Sequence, residues 1–422
     1  MSDNLDKLNV IFFGSFYPKK ILETIKDNTY GKVGFSNHNF EMSLIKGLMR
    51  HEDVNLKILT SPEVFSYPYN NRLFFTKSER YSINSIPVKS ISFINLAVLN
   101  KMWKSVSAFI SLITLIQSFK NQKVYVIVNT PNLFLEIPLF LCSLVSKKEI
   151  NKTLIIPDMP DQLLLMNKGN FIKMHILSLL NRCTMKLASS FDNYVLLTDA
   201  MKSYLKSNSN YIVMEGIWDV DDKEGINYKF VENYKNSSSP SIILYTGTLR
   251  YMFGVMNLLK AFEMGNFTDA ELWICGSGEA EKEIEISTKR NPKIKYLGLL
   301  DTSKVREVQM RATILVNPRT SMGEYTKYSF PSKTIEYLLT GKAVIMNRLP
   351  GIPEEYFNYV FCPKDETVHS LTDTLAEILA MDRKALYKQT RKGREFVLKS
   401  KNSVVQTRRI LDLIKNSCNN DC

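Results

Sequence analysis

The chain has 422 residues, 45% of them hydrophobic, which is enough for two domains that each bury their own core. It carries 55 Lys and Arg against 42 Asp and Glu, a net charge of +13, and its six cysteines include no Cys-x-x-Cys pair, so reduced thiols in a cytosol are expected in place of a disulfide framework. The longest apolar stretches, 106–116 and Leu133–Val145, fall short of the ~18 residues a spanning helix needs, and the second contains Glu136, so a soluble chain is expected. The N-terminus, MSDNLDKLNV, is acidic where an export signal would be basic, and the apolar run at 10–16 reads as a first strand.

From that strand onward, β-rich runs alternate with helical patterns. LNVIFFGSF is followed by a helix from about Asn39, then NLKILT, a long helix over 94–120, KVYVIV, TLIIPD and YVLLT. The rhythm restarts at SIILYTGT, with helices near 255–264, 279–288, 302–311 and 332–340 separating AELWIC, KIKYLG, ATILVN and AVIMN. Such alternation predicts two α/β units, each a parallel sheet flanked by helices. Between them, 218–240 is polar and ends in a Ser-rich stretch with Pro240, as an interdomain linker does. The expected domains are therefore 1–217, a linker 218–240, and 241–395, with 396–422 packing back on the first domain. One last helix is expected over about 385–416.

Residues 1–215 hold 25 Lys and Arg against 16 Asp and Glu, most of the positive surplus. A basic half suits nucleic acid, anionic lipid, a phosphate-bearing substrate or a plain solubilising surface. The stretch 93–120 is amphipathic, with Trp103, Lys101 and Lys104; core packing is its plainer reading, a surface-lying membrane mode the other. Asn95, Asn100 and Lys104 interrupt it too often for a span. No nucleic-acid motif accompanies it, so no nucleic-acid partner is expected.

The turn after AELWIC, Gly276-Ser277-Gly278-Glu279-Ala280-Glu281, fails as a dinucleotide fingerprint, because Glu281 takes the third glycine position. The segment 315–345, LVNPRTSMGEYTKYSFPSKTIEYLLTGKAVI, is more informative. It reads as a strand, a polar loop, a helix opening at Pro331 and a second strand. Arg319 and Lys327 precede that helix and Lys333 lies in its first turn, a set of cations and free N–H groups suited to a diphosphate. One turn on, Glu336 shares a face with Lys333 and Thr340, where a carboxylate can accept from both hydroxyls of a ribose.

This segment resembles the donor site of the family-4 (group 1) glycosyltransferases, especially bacterial members of exopolysaccharide, capsule or O-antigen type with an FPSK…EY…GK signature. SNHNFEMSLIKGL (36–48), LLTDAMKSYL (196–205), VMEGIWD (213–219), YTGTLRYMFGVMNLLKAF (245–262), ICGSGEAEKEI (274–284) and YLGLLDTSKVREVQMRATILVNPR (296–319) resemble that family in order. The resemblance implies the GT-B fold, two Rossmann-like doubly wound parallel-sheet domains facing a central cleft. It also implies a retaining, metal-independent transfer from a nucleotide-diphosphate sugar, a UDP-sugar first, to a polysaccharide or undecaprenyl-linked glycan acceptor. A cytoplasmic protein is expected, and the basic N-terminal half with the 93–120 stretch motivates a peripheral position at the inner face of the plasma membrane. No cofactor or metal is expected. Donor-binding residues implied by it are Gly34, Thr248, Arg250, Gly276, Leu299, Arg319, Lys327, Ser332, Lys333 and Glu336.

The sequence departs from the family in two places. Of the family's two glutamates the second matches Glu336, but the first position holds Tyr328, with Glu324 four residues early. The family's phosphate-binding Arg and Lys match Thr248 and Phe253, leaving Arg250 nearby, so Arg319, Lys327 and Lys333 are expected to neutralise the leaving diphosphate. In the N-terminal half, the loop 34–39 precedes a helix near Phe40 and faces the donor in the family, with His38 in it. Asp158 follows TLIIPD's Pro157, which replaces the family's histidine; it is the preferred contact or base for the acceptor hydroxyl, with Asp161 a rival. Asp158, Glu336 and Lys333 are the expected catalytic residues. Asp219-Val220-Asp221 lies in the polar linker and is set aside as a metal site. Two other readings remain open: a nucleotide-sugar epimerase on the same fold, and a non-enzymatic basic protein binding membrane or nucleic acid.

Overall fold

The structure, a computed structural model, describes residues 7–18, 21–23, 25, 36–75, 81–159, 171–219 and 240–419. The chain divides into two compact units, Met1–Asp219 with Ser403–Cys422, and Val220–Asn402.

The described residues of the first unit form ten strands: β1 (Leu8–Gly14), β2 (Val54–Thr60), β3 (Phe74–Phe75), β4 (Tyr81–Ile83), β5 (Ile86–Ser90), β6 (Phe93–Ile94), β7 (Lys123–Asn129), β8 (Glu149–Ile156), β9 (Asn193–Leu196) and β10 (Asn210–Val213). Eight of them form one sheet in the order β10-β9-β8-β7-β1-β2-β5-β4, parallel except for the β4–β5 pair, while β3 and β6 make a short antiparallel ribbon. The inner strands are near-continuous apolar runs because both faces of the sheet are covered; Val10, Ile11, Phe12 and Phe13 of β1 are all fully buried.

Helices α1 (Ser36–Met49), α2 (Ala97–Gln117), α3 (Leu133–Val145) and α4 (Phe171–Ala188) connect these strands. The steps β5 to β7, β7 to β8 and β8 to β9 all run toward the same edge, so right-handed crossovers place α2, α3 and α4 on one face. They pack side by side, α2 on α3 and α3 on α4. The step from β1 to β2 runs the other way and puts α1 on the opposite face, where Leu44, Ile45 and Leu48 join Val10, Phe12, Ile58 and Ile127 in one core. Within α3, Pro138 has no N–H to offer Phe134, and Ser105 Oγ of α2 donates to that carbonyl instead, at 3.2 Å.

In the second unit, β11 (Ser241–Thr246), β12 (Ala270–Cys275), β13 (Ile294–Gly298), β14 (Ile314–Asn317) and β15 (Ala343–Met346) form a wholly parallel sheet in the order β13-β12-β11-β14-β15. Its helices are α5 (Val255–Gly265), α6 (Glu281–Arg290), α7 (Thr302–Arg311), α8 (Lys333–Leu339), α9 (Val368–Ala380) and α10 (Arg383–Ser400). Leu258 and Phe262 of α5 and Leu371 and Leu375 of α9 pack on Ile243, Leu272 and Ile314 of the sheet.

The single C-terminal helix expected over 385–416 is two helices, α10 and α11 (Ser403–Asn419). The break lies at Lys401–Asn402, where Lys401 is buried and its Nζ reaches Glu355 Oε1 at 2.7 Å, while Asn402 Nδ2 donates to the carbonyls of Leu398 and Lys399. The second unit therefore keeps the chain to Asn402, past the expected boundary at 395. Helix α11 returns to the first unit and packs on α1, with Gly47 leaving room for Ser403 O, which an added Cβ would meet at 2.3 Å. Arg408 and Lys415 both bond Asp53 there, holding its carboxyl far below the usual range.

Candidate functional site

In a doubly wound sheet, ligands bind outside the carboxyl ends of the strands where the strand order reverses. In the second unit that point lies between β11 and β14. The turn after β11 holds Gly247 (φ +145°) and the turn after β12 holds Gly276 (φ +143°), backbone conformations that side chains rarely adopt. The two turns are in contact, since a Cβ on Gly276 would stand 1.7 Å from Gly247 O. The Lys333 ammonium fills the space above Gly247, where an added Cβ would meet Nζ at 2.0 Å.

Two cations meet at this edge. Arg319, two residues past β14, is buried, donates from Nη1 to Ser329 Oγ at 3.1 Å, and lies over the rings of Tyr325 (4.7 Å) and Phe253 (5.5 Å). Lys333 is half-buried over the Tyr245 ring. Desolvation pushes its ammonium below the ordinary value, the neighbouring Arg319 charge pushes the same way, and Glu336 opposes them. Arg319 Nε, Asn317 Nδ2 and Thr334 Oγ1 are buried without a hydrogen-bond partner in the protein. Buried donors left so are costly, and a ligand with acceptor atoms would supply what they lack.

The other expected donor residues are placed as follows. Glu336 is half-buried and accepts from Gln309 Nε2 at 3.1 Å. Thr248 is exposed, and its carbonyl accepts from Tyr245 OH. Arg250 stands at the start of the short turn 251–253. Leu299 is exposed beyond Gly298, and Ser332 is exposed ahead of α8. Lys327 is drawn to Glu324, 3.4 Å away in an exposed turn, and no contact joins it to Lys333 or Arg319. Pro331, expected as the first helical residue, precedes α8 by two, and α8 is only seven residues long. Its dipole is correspondingly small, so the side chains Arg319 and Lys333 carry the positive charge of this edge.

In the first unit the order reverses between β1 and β7. A cavity of about 390 Å³ lies there, lined among others by Ser15 after β1, Ser61 after β2, Asn132 and Phe134 after β7, and Lys101 and Lys104 of α2. Lys104 Nζ donates to Pro62 O at 2.6 Å and lies 4.2 Å from the centre of the Phe93 ring. Desolvation brings its pKa down to about 8. Asp158 is exposed just past β8, and desolvation by the surrounding chain raises its carboxyl pKa. Gly34 and Asp161 lie outside the described residues. His38, expected in a loop, lies on α1, which begins at Ser36, and its Nδ1 accepts from Tyr17 N at 3.3 Å. Asp219 pairs with Lys46, and Asp221 lies outside the described residues.

Sequence reasoning missed two groups that shape these edges. Gln309 is fully buried on α7 and bridges Thr246 Oγ1 (3.1 Å) to Glu336, a link between residues 63 and 27 positions apart. Glu41 is fully buried on α1 and accepts from Ser15 N (2.8 Å), Phe16 N (2.9 Å) and Asn129 Nδ2 (2.8 Å), tying the turn after β1 to the end of β7. Burial pushes its carboxyl up to about 7 against those hydrogen bonds. The sequence signal was present only as an acid amid the apolar positions of α1.

Residues 240–381 match the family described as Glycosyl transferases group 1. No curated protein matches the chain. Among solved structures it is similar to the trehalose 6-phosphate synthase of Burkholderia multivorans (TM-score 0.62, 10% identity, 98% of each chain covered). It is similar also to the sucrose-phosphate synthase of Thermosynechococcus elongatus (TM-score 0.60, 11% identity, 97% of this chain and 98% of that one). A third is HepE of Anabaena in complex with UDP (TM-score 0.59, 12% identity, 97% and 100%). At these identities the likeness is one of fold, and it gives both units the Rossmann-like parallel-sheet architecture of the GT-B glycosyltransferases.

Proposed function

We propose that the chain is a retaining, metal-independent glycosyltransferase that moves a sugar from a nucleoside-diphosphate donor, a UDP-sugar first, to a lipid-linked or polysaccharide acceptor in cell-surface glycan synthesis at the cytoplasmic side of the inner membrane. The observation that carries the donor half is the pair of cations at the β11/β14 edge: Lys333 stands over the Gly247 turn and Arg319 lies over the Phe253 and Tyr325 rings, with its Nε lacking a partner in the protein. Negative charge develops on the diphosphate as the bond to the sugar breaks, and fixed cations in a partly dry site stabilise it. Arg319 lies over the ring of Phe253, the position at which the resembling family carries a lysine, so a cation reaches that place from another strand. Glu336, held by Gln309, is assigned the ribose hydroxyls. Asp158, with its raised carboxyl pKa, is assigned the acceptor hydroxyl.

Titration calorimetry with UDP, GDP and ADP tests the donor site. Lys333→Ala and Glu336→Ala are expected to weaken the preferred nucleotide by about 10- to 100-fold, the worth of lost charge-assisted hydrogen bonds. Asp158→Asn is expected to leave that affinity unchanged and to lower transfer by roughly 100-fold or more. Wild-type nucleotide affinity in both Lys333→Ala and Glu336→Ala would remove this site.

A further inference from the structure

Helix α2 is amphipathic, as its sequence predicts, but its apolar stripe is only partly spent on the core. Ala108, Leu112 and Ile116 are fully buried, whereas Leu99, Trp103, Val106 and Ile110 are each at least half exposed. Their spacing of four, three and four residues sets them along one side of the helix. The next two helices of the layer also expose apolar residues, with Leu144 of α3 66% exposed and Leu179 of α4 59% exposed. At the start of α2, Asn95 Nδ2 donates to the carbonyls of Phe65 and Arg72, which fixes an adjoining loop carrying exposed Tyr69 and Phe74. Scattered exposed apolar residues are ordinary; a run shared by three adjacent helices marks a contact surface.

The charge of this layer has one sign. From 97 to 148 the sequence has six lysines and one acid, Glu136, and 171–188 has no acid at all. Glu136 is buried, and desolvation lifts its carboxyl to about 8, so it adds no negative charge near neutral pH. Lys101, Lys147, Arg182 and Lys186 are exposed. Two copies meeting through this face would set cation against cation with no carboxylate to pair. Anionic headgroups over an apolar interior complement it on both counts. No described helix is long and apolar enough to cross a membrane, so the contact is one of lying on the surface.

We propose that the outer face of α2, α3 and α4 docks on an anionic lipid bilayer, with Trp103, Val106, Ile110 and Leu144 at the acyl boundary and Lys101, Arg182 and Lys186 at the headgroup phosphates. The inference shares with the proposed function a lipid-linked acceptor, yet it stands on the helix faces alone. It places such an acceptor beside the cavity that Lys101 and Lys104 of the same helix line.

The test is sedimentation of the full chain, without nucleotide, with phosphatidylcholine vesicles and with vesicles containing about 30% phosphatidylglycerol, at about 50 mM and about 500 mM NaCl. The protein is expected to pellet with the anionic vesicles at low salt and to be released at high salt. Val106→Asp with Ile110→Asp should lower partitioning at least tenfold, and Arg182→Gln with Lys186→Gln roughly fivefold per cation. Unchanged Tm and UDP affinity in these variants would show that neither the fold nor the donor site was touched. Protein left in the supernatant at low salt, variants that pellet like the parent, or binding indifferent to salt and lipid charge would each overturn the proposal. So would a dimer in light scattering that Val106→Asp with Ile110→Asp makes monomeric, which would assign the face to a second copy.

Discussion

The two sheets reverse their strand order at equivalent places, between β1 and β7 and between β11 and β14, yet the ionisable side chain that meets the turn after the first strand is an acid in one and a lysine in the other. In the first unit Glu41 occupies it and accepts from two backbone N–H groups and an asparagine amide, so the group is spent on the protein itself. In the second, Lys333 stands over the Gly247 turn near Arg319, whose Nε is buried without a partner in the protein. One architecture thus carries a self-satisfied clamp and an open cationic edge. The identity of the side chain placed at the turn, more than topology, separates the two edges.

The largest effect that breaks this contrast is expected from Gly276→Ala. The new Cβ would lie 1.7 Å from Gly247 O at a φ of +143°, so strain and overpacking should cost the second unit roughly 3–5 kcal/mol. Hydrogen exchange should show protection lost in β11 and β12, with UDP binding lost alongside. Wild-type protection would mean that the two turns do not touch.

Glu41→Ala should come next, at about 2–4 kcal/mol, because Ser15 N, Phe16 N and the Asn129 amide lose their acceptor in a buried place. Denaturant unfolding measures it, and UDP affinity should be unchanged. A loss of nucleotide affinity with intact stability would turn the clamp into a ligand site and erase the contrast.

The smallest effect is a gain. Both carboxyl oxygens of Glu136 are buried without a partner, so Glu136→Leu should stabilise the first unit by about 1–2 kcal/mol at pH 6. Its folded pKa lies near 8, above the ordinary 4.5, so the native chain keeps a proton that the unfolded chain has released, and stability falls as pH rises between those values. The advantage of Glu136→Leu should therefore widen from pH 5 to about pH 8 and then level off. Thermal unfolding across that range checks it, and a gain independent of pH would show that Glu136 is not buried as a neutral acid.

Much of the fold was legible because strand and helix periods are local. The ten-strand rhythm broken at 218–240, the glycine turn at 276 and the segment 315–345 each announce themselves in contiguous residues. The helix break at Lys401 was not legible, since an unbroken helical pattern runs through it, and neither was the partner that Lys401 finds there, Glu355, 46 residues away. Asn95 and Asn100 read as interruptions; Asn95, just ahead of α2, anchors the loop at 65–74 through bonds to Phe65 and Arg72, and Asn100 within α2 donates to Asn95, links that no spacing rule foretells.

For the candidate site the division is similar. The sequence by itself determined which residue types gather in the 315–345 segment, and its run of cations raised the expectation of a diphosphate site. Tertiary structure alone decided that Arg319 and Lys333 converge while Lys327 turns to Glu324, that Gln309 holds Glu336, and that Glu41 closes the other crevice. It also decided that half of the apolar stripe of α2 faces outward. The physical reason is one of range: backbone periodicity is set by neighbours a few residues apart, whereas burial, pairing and the sign of an electrostatic site are set by atoms brought together from distant parts of the chain.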